Sequence, residues 1–551
     1  MPNAPYRITV MRRSLALTVG FCLFVAAAGI DVARLRAADA PRLIVTVVVD
    51  QMRADYLQQF NRHWKNGFRT LLDQGMVFEN ARYPYLVTVT CAGHATIGTG
   101  ALPHRHGLVN NTWWQRKERA LTGCSADPGT TDISYGRPVR LGNSATHLMT
   151  PTLADELRAQ KPGASVVSVS MKARSAIMLA GHAADAIVWF DDPSGSWTTS
   201  KAFASGPVPA VKEFVENNPY EKDLGKVWTL SGPHDSYVNR DAGVGERPPA
   251  GWNGLFPHPI NGRGGVDAQF FALWQATPLA DAYLGRLAAS LVDSFKLGQR
   301  EGTDFLGVSF SVLDDVGHSF GPESREIEDV LRQLDVTLGS LIAHLDAKIG
   351  RANYVLALSA DHGVAPMPIP PRGGRVATED VRERIEDALR TAWGPLAKGT
   401  YVDAVNFTDV YFADGVYDKL KANATLMASV VKSLEEIPGV LRVLRTDQLS
   451  ESSRDPLVRS AALSYMASRN GDLMVVPKEY WFMSPRAVIG TTHGSPYEYD
   501  THVPVIFLGG AVKAGRSKAS VTPADIAPTL SDLAGVKLPM AEGHSLLGGE
   551  R

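Results

Sequence analysis

The chain has 551 residues, with 56 Lys+Arg against 57 Asp+Glu, so its formal charge is −1. Hydrophobic residues make up 44% and charged residues 21%, ordinary globular values that exclude a disordered chain, a collagen and a coiled coil. The near-neutral balance argues against a dedicated nucleic-acid binder, which carries a strong basic excess. The length suits roughly two to four domain-sized units, or one large core with insertions.

Residues 1–40 read as an export signal. Arg7, Arg12 and Arg13 form a basic leader, an apolar stretch runs from about Leu15 to Ile30, and Ala38-Asp39-Ala40 offers a cleavage site. The apolar run is short for a spanning helix, which needs about 20 residues. The expectation is cleavage, no membrane association afterwards, and a location in the periplasm or outside the cell. Loss of this segment removes five Arg and two Asp, leaving 51 basic and 55 acidic residues and a net charge of −4. Two cysteines then remain, Cys91 and Cys124. In an oxidising compartment they can pair or stay free, and sequence does not decide between the two.

The elements follow in chain order. Leu43 to Val49 is a β-branched run that ends in Asp50. Thr88 to Thr96 (Thr88-Val89-Thr90-Cys91-Ala92-Gly93-His94-Ala95-Thr96) is rich in hydroxyls and small residues and suits a turn at a helix start. Ala164 to Val169 is a strand followed by Met171-Lys172-Ala173-Arg174. Residues from about 185 to 275 lack clean periodicity and read as an insertion. Phe305 to Val312 is a strand running into Asp314-Asp315-Val316-Gly317-His318. Pro322 to Ile349 has helical apolar spacing and a stop at Gly350. Tyr354 to Leu358 runs into Ser359-Ala360-Asp361-His362-Gly363. Residues from about 370 to 490 read as a second insertion with helices and short strands of its own. Val503 to Leu508 is the last strand.

Continuous apolar strands suit a parallel sheet buried on both faces, and their alternation with helices implies an α/β sandwich. Sites in such sheets form beyond the carboxyl ends of the strands. Asp50, Asp314 and Asp361-His362 all fall there, and His493-Gly494 adds an imidazole. Mixed Asp and His ligands suit zinc or a similar transition metal better than calcium. Asp314 and His318 are expected to converge through a bend at Gly317. Thr90 at a helix start reads either as a plain cap or as a nucleophile. Lys172 and Arg174, two apart on an extended segment, point one way and can clamp a dianion, although such pairs are usually solvated. The Asn111 amide can donate to a phosphate oxygen. Trp113 and Trp114 suit a substrate pocket, though core packing is their commoner role.

These motifs together resemble the alkaline phosphatase superfamily, in its type I phosphodiesterase/nucleotide pyrophosphatase-related branch. They are most similar to the bacterial phosphate-irrepressible alkaline phosphatases with a threonine nucleophile. The resemblance runs from Leu43 to about Leu547. It rests on Asp50-Gln51-Met52-Arg53, Thr90-Cys91-Ala92-Gly93-His94, His106-Gly107-Leu108-Val109-Asn110-Asn111, Lys172-Ala173-Arg174, Asp314 with Gly317-His318, Asp361-His362-Gly363 and Thr492-His493-Gly494-Ser495, in family order. It implies a three-layer α/β/α catalytic domain over residues 41–551 with a mostly parallel central sheet. It also implies two zinc ions per chain. One is held by Asp314, His318 and His493, the other by Asp50, Asp361, His362 and the hydroxyl of Thr90. Thr90 is then the nucleophile, and Asn111, Lys172 and Arg174 bind the phosphoryl oxygens. The implied substrates are small phosphate monoesters, with phosphodiesters as the alternative, and nothing requires more than a monomer. Cys91-Ala92 stands where relatives often have Ala-Pro. A sulfatase reading of Cys91 fails, because the required C-x-P-x-R is missing.

Overall fold

The computed structural model describes residues 40–486, 490–510 and 512–547; the expected export signal otherwise lies outside them. Ten strands form the central sheet: Leu43–Val49 (β1), Met76–Ala81 (β2), Asp132–Ser134 (β3), Val166–Ser170 (β4), Ala186–Asp191 (β5), Ser196–Ser200 (β6), Asp304–Phe310 (β7), Tyr354–Ser359 (β8), Val505–Gly509 (β9) and Gly515–Val521 (β10). Their spatial order is β10-β2-β9-β8-β1-β7-β4-β5-β6-β3. Only β6 and β9 run against the rest.

All seven residues of β1 are buried. Val45, Val47 and Val49 join one apolar core and Ile44 and Val48 join the other, as strand alternation requires. The first core is closed by helices such as Arg325–Lys348 and Pro278–Ser294, the second by Thr90–Thr99, Ala173–Ala180 and Ile526–Ala534. This is a three-layer α/β/α sandwich. Each fully buried Val or Ile contributes about 1.5–3 kcal/mol, so the central strands are a rigid platform for whatever follows their ends.

Register sets that platform. Val48 pairs with Ser359, Val49 with Phe310 and Ser309 with Ser170. The carboxyl ends of β8, β1, β7 and β4 therefore finish side by side. β9 is antiparallel to β8, with Val505 opposite Ser359, so the segment entering β9 reaches the same edge.

The two expected insertions differ. The region around 370–490 builds a separate four-stranded antiparallel sheet from Val402–Asn406, Asp409–Phe412, Leu473–Pro477 and Val440–Arg445, with its own core. The expected boundary near 185 moves, because β5 and β6 belong to the central sheet. The Ser-Trp-Thr-Thr-Ser composition of β6 hides it from a search for apolar runs, whereas β5, Ala-Ile-Val-Trp-Phe-Asp, is itself an apolar run that an insertion boundary at 185 passes over. The excursion beyond them is pinned by acids in the first two turns of the Arg325–Lys348 helix. Glu326 meets His258 at 2.9 Å, Glu328 accepts from the Val238 and Asn239 amides at 2.9 Å, and Asp329 accepts from Trp228 Nε1 at 2.7 Å. A helix N-terminus favours such carboxylates.

Candidate metal and phosphoryl-transfer site

Each strand end delivers its residue by a different local route. Asp50 directly follows β1, and Asp361-His362 follows β8. Beyond β7 the chain turns at once into the helix Val312–Phe320, so Asp314 and His318 lie on one helical face at i, i+4. The expected bend at Gly317 is absent. Gly317 is needed because a Cβ there would sit 1.7 Å from Gln51 Oε1. Beyond β4, Lys172 is extended and precedes the helix Ala173–Ala180, which carries Arg174 in its first turn. The two cations are thus not on one extended face as expected; helix onset after Lys172 redirects Arg174. Its Nε is buried without a partner.

The ligand-type side chains gather into two groups, Asp314/His318/His493 and Asp50/Asp361/His362, each with candidate ligand atoms within 4.8 Å of one another. In the first, His318 Nε2 lies 3.1 Å and His493 Nε2 3.8 Å from Asp314 Oδ1. In the second, His362 Nε2 lies 3.5 Å from Asp50 Oδ1 and 3.4 Å from Asp361 Oδ2. The His362 and His493 rings stack at 3.5 Å and join the groups. Lys172 Nζ bridges them as well, 2.8 Å from Asp50 Oδ2 and in contact with Asp314 Oδ2.

The donor set fits divalent transition-metal ions. His318 Nδ1 lies 2.8 Å from the Thr491 carbonyl, His362 Nδ1 2.9 Å from that of Gly363 and His493 Nδ1 2.9 Å from that of Thr88. With Nδ1–H donated to these carbonyls, the Nε2 atoms of His362 and His493 are left as bare acceptors aimed inward, the usual outer-shell arrangement of a metal-binding histidine. Burial acts to lower His318, but the Asp314 carboxylate outweighs it and raises that imidazole, which favours a proton on its Nε2 facing Asp314 while no ion is bound. Asp50 Oδ1 and Asp361 Oδ2 are buried carboxylate oxygens without a hydrogen-bond donor, the nearby His94 Nδ1 being directed at the Thr90 carbonyl at 2.9 Å. That state is costly, and a cation relieves it.

Electrostatics point the same way. Burial, then the carboxylates of Asp314 and Asp361, push the Asp50 carboxyl well above its ordinary range. Burial also acts to raise Asp314, but Lys172 and His318 outweigh it and hold that carboxyl well below the ordinary range. Burial lowers His362 and His493, which keeps both imidazoles neutral and able to ligate.

Thr90 is the first residue of a wholly buried ten-residue helix. Its Oγ1 lies 3.4 Å from His362 Nε2, so the hydroxyl borders the second ligand group. That helix runs close under Asp361: a Cβ on Gly93 would meet the Asp361 carbonyl oxygen at 2.1 Å. Asn111 is tied to the same helix, since its Oδ1 accepts from the Cys91 amide at 2.9 Å. Cys91 and Cys124 form a disulfide.

Over residues 44–496 the chain matches the family described as type I phosphodiesterase / nucleotide pyrophosphatase. The chain belongs to that family. Alkaline phosphatase PafA of Elizabethkingia meningoseptica is 32% identical over 527 residues, 92% of this chain and 94% of its own. Alkaline phosphatase PhoV of Synechococcus elongatus is 31% identical over 510 residues, 91% of each chain. The crystal structure of wild-type PafA matches with a TM-score of 0.83 at 30% identity, covering 92% of this chain and 98% of that one. The fold is that of the alkaline phosphatase superfamily.

Within this phosphodiesterase-family site stand residues to which sequence assigned no role. Gln51 is non-glycine yet left-handed, with φ 69°. Its amide N–H donates to Asp361 Oδ1 at 3.1 Å and its side chain to Asp314 Oδ1 at 2.5 Å, so it touches both ligand groups. His94 Nδ1 lies 3.1 Å from Asp361 Oδ2 and its Nε2 lies 2.8 Å from Ser309 Oγ. The signal for both was adjacency, since Gln51 follows Asp50 and His94 lies one turn after Thr90. His502, the other histidine ahead of β9, lies outside both groups, against the Glu79 carbonyl and Glu498. Trp113 is buried and packs edge-on to His147; it is core, not pocket lining.

Proposed function

We propose that the chain is an exported, zinc-dependent phosphatase that hydrolyses small phosphate monoesters through a phosphothreonine intermediate and releases inorganic phosphate. The observation that carries this reading is the convergence of two three-residue Asp/His groups with the Thr90 hydroxyl, beside Lys172 and Arg174. The alkaline phosphatase names of the relatives support a phosphomonoesterase. The leader over residues 1–40 supports export, and no helix among the described residues is long and apolar enough to cross a membrane.

In this reading Asp314, His318 and His493 hold one ion, and Asp50, Asp361, His362 and the Thr90 oxygen hold the other. Two such ions, when bound, would supply Lewis-acid stabilisation of the attacking and departing oxygens. The Thr90 oxygen attacks phosphorus in line and gives up its proton to solvent, the bond from phosphorus to the ester oxygen breaks, and that oxygen leaves with the bonding pair and takes a proton from water. Water then cleaves the phosphothreonine and regenerates Thr90. Asn111, Lys172 and Arg174 hold the non-bridging oxygens, which is positioning plus charge stabilisation. A monoester presents a dianion and a diester a monoanion, so two cations favour the monoester.

The test is a parallel assay of the zinc-loaded mature protein on an aryl phosphate monoester, the matching diester and the matching sulfate ester. Monoester turnover should dominate and vanish in Thr90→Ala. A dominant diester rate would reassign Lys172 and Arg174 and make the protein a phosphodiesterase on the same fold.

A further inference from the structure

Asn111 stands between the two cysteines. The Cys91 amide donates to its side-chain carbonyl at 2.9 Å, and the Cys124 amide donates to its backbone carbonyl at 2.9 Å. The same two cysteines are bonded to each other, with Cα atoms 6.5 Å apart. With both carbonyls engaged, the side-chain NH₂ is what Asn111 has left to offer a ligand.

The elements joined are unequal in firmness. Cys91 lies in the first turn of the buried Thr90–Thr99 helix, directly after Thr90. Asn111 and Cys124 flank a two-stranded hairpin, Thr112–Gln115 paired with Ala120–Gly123. Its second strand is half-exposed and Leu121 is 54% exposed. A two-stranded hairpin has little stability of its own. Apart from the bridge and the bonds at its base, this one is held by polar contacts to the four-stranded sheet, from Asn406 Nδ2 to the Thr112 carbonyl at 2.8 Å and from the exposed Arg116 and Arg119 to Asp472 and Asp403, which contribute about 1 kcal/mol each. The bridge itself is inside the protein, with Cys91 0% and Cys124 1% exposed.

We propose that the Cys91–Cys124 bridge is a positioning device for Asn111. It locks the base of the hairpin to the first turn of the Thr90 helix, so that the Asn111 amide stands ready for a phosphoryl oxygen beside Thr90. The proposal rests on the roles given above to Thr90 and Asn111. Displacing a positioned group by about 1 Å costs on the order of 10²-fold in rate, which is the scale at which a loosened hairpin acts.

The experiment is a double-mutant cycle on the zinc-loaded protein with Asn111→Ala, Cys124→Ser and both together. It measures kcat/KM on an aryl phosphate monoester and the inhibition constant of inorganic phosphate. Asn111→Ala and Cys124→Ser should each lower kcat/KM by about 10- to 100-fold and weaken phosphate inhibition. The double variant should fall no more than about threefold below Asn111→Ala, because the bridge acts through that residue. A purely structural bridge would give losses that multiply, and that result overturns the proposal. A wild-type rate in Cys124→Ser with a damaged Asn111→Ala also overturns it and leaves the assigned function standing. A wild-type rate in Asn111→Ala removes the premise itself, and the proposal falls with it. If Cys124→Ser does not fold, phosphine reduction of the folded wild type and of Asn111→Ala, with free thiols counted, gives the same comparison.

Discussion

Lys172 offers the sharpest test of the charge balance in the site. Its ammonium lies 2.8 Å from Asp50 Oδ2 and touches Asp314 Oδ2, with Asp315 at 3.7 Å. Burial acts to depress its pKa, but Asp314, Asp50 and Asp315 outweigh burial and hold it above the usual lysine range. The substitution Lys172→Ala leaves two buried carboxylates facing each other. Breaking a buried pair by deleting one partner costs about 3–5 kcal/mol. At roughly 2.1 cal/mol/K per residue, a unit of about 500 residues unfolds with an entropy near 1 kcal/mol/K. Metal-stripped Lys172→Ala should therefore melt about 3–5 °C below metal-stripped wild type. On the proposed two-zinc reading, zinc supplies the missing positive charge to the same carboxylates. In zinc-loaded protein the difference should shrink to about 1 °C or less. Scanning calorimetry after chelator treatment and after zinc addition reads both values. A drop of equal size in the two states would refute the view that Lys172 and the ions answer the same carboxylates, and so would a rise in the stripped protein.

The substitution Gln51→Leu removes the amide that orients Asp314, and chelator competition should show zinc affinity falling about 10- to 100-fold; unchanged affinity would strip Gln51 of that role. Asp281 is buried and accepts from the Ser311 amide at 3.2 Å, at the head of the helix that carries Asp314. Burial pushes its carboxyl up to about 7. The folded state then keeps a proton that the unfolded state releases, so stability declines as pH rises between about 4 and 7. Asn keeps the acceptor and does not titrate. Urea melts of Asp281→Asn should show a flatter decline over that window and higher stability than wild type at pH 7. An unaltered slope would mean that Asp281 is ionised in the fold.

The strand platform was legible because β1, β7 and β8 are uninterrupted apolar runs closed by an acid, and few other structures want that pattern. Asp50, Asp314 and Asp361-His362, which gather into the two Asp/His groups, were legible for the same reason, as they come soon after those runs. What stayed hidden was set by tertiary contact. Asp314 and His318 converge equally well through a bent loop or a helix, and only packing chooses the helix. The extended reading of Lys172-Ala173-Arg174 failed because the helix starts one residue after Lys172. Glu326, Glu328 and Asp329 look like a solvated helix start, yet all three are buried and bind loop amides, an indole and an imidazole. Gln51 had only its place beside Asp50 to mark it, because nothing in sequence singles out a glutamine for a left-handed backbone.

The reversal of β9 bears on the order in which the site can take up ions. Asp50, Asp361 and His362 are complete once β8 lies beside β1. Asp314 and His318 must wait for His493, which arrives only on the segment leading into β9. A polypeptide interrupted before that point offers three ligands at one position and two at the other. The Asp314/His318 group is therefore incomplete until that late segment has been made, and any ion that needs all three residues binds only afterwards.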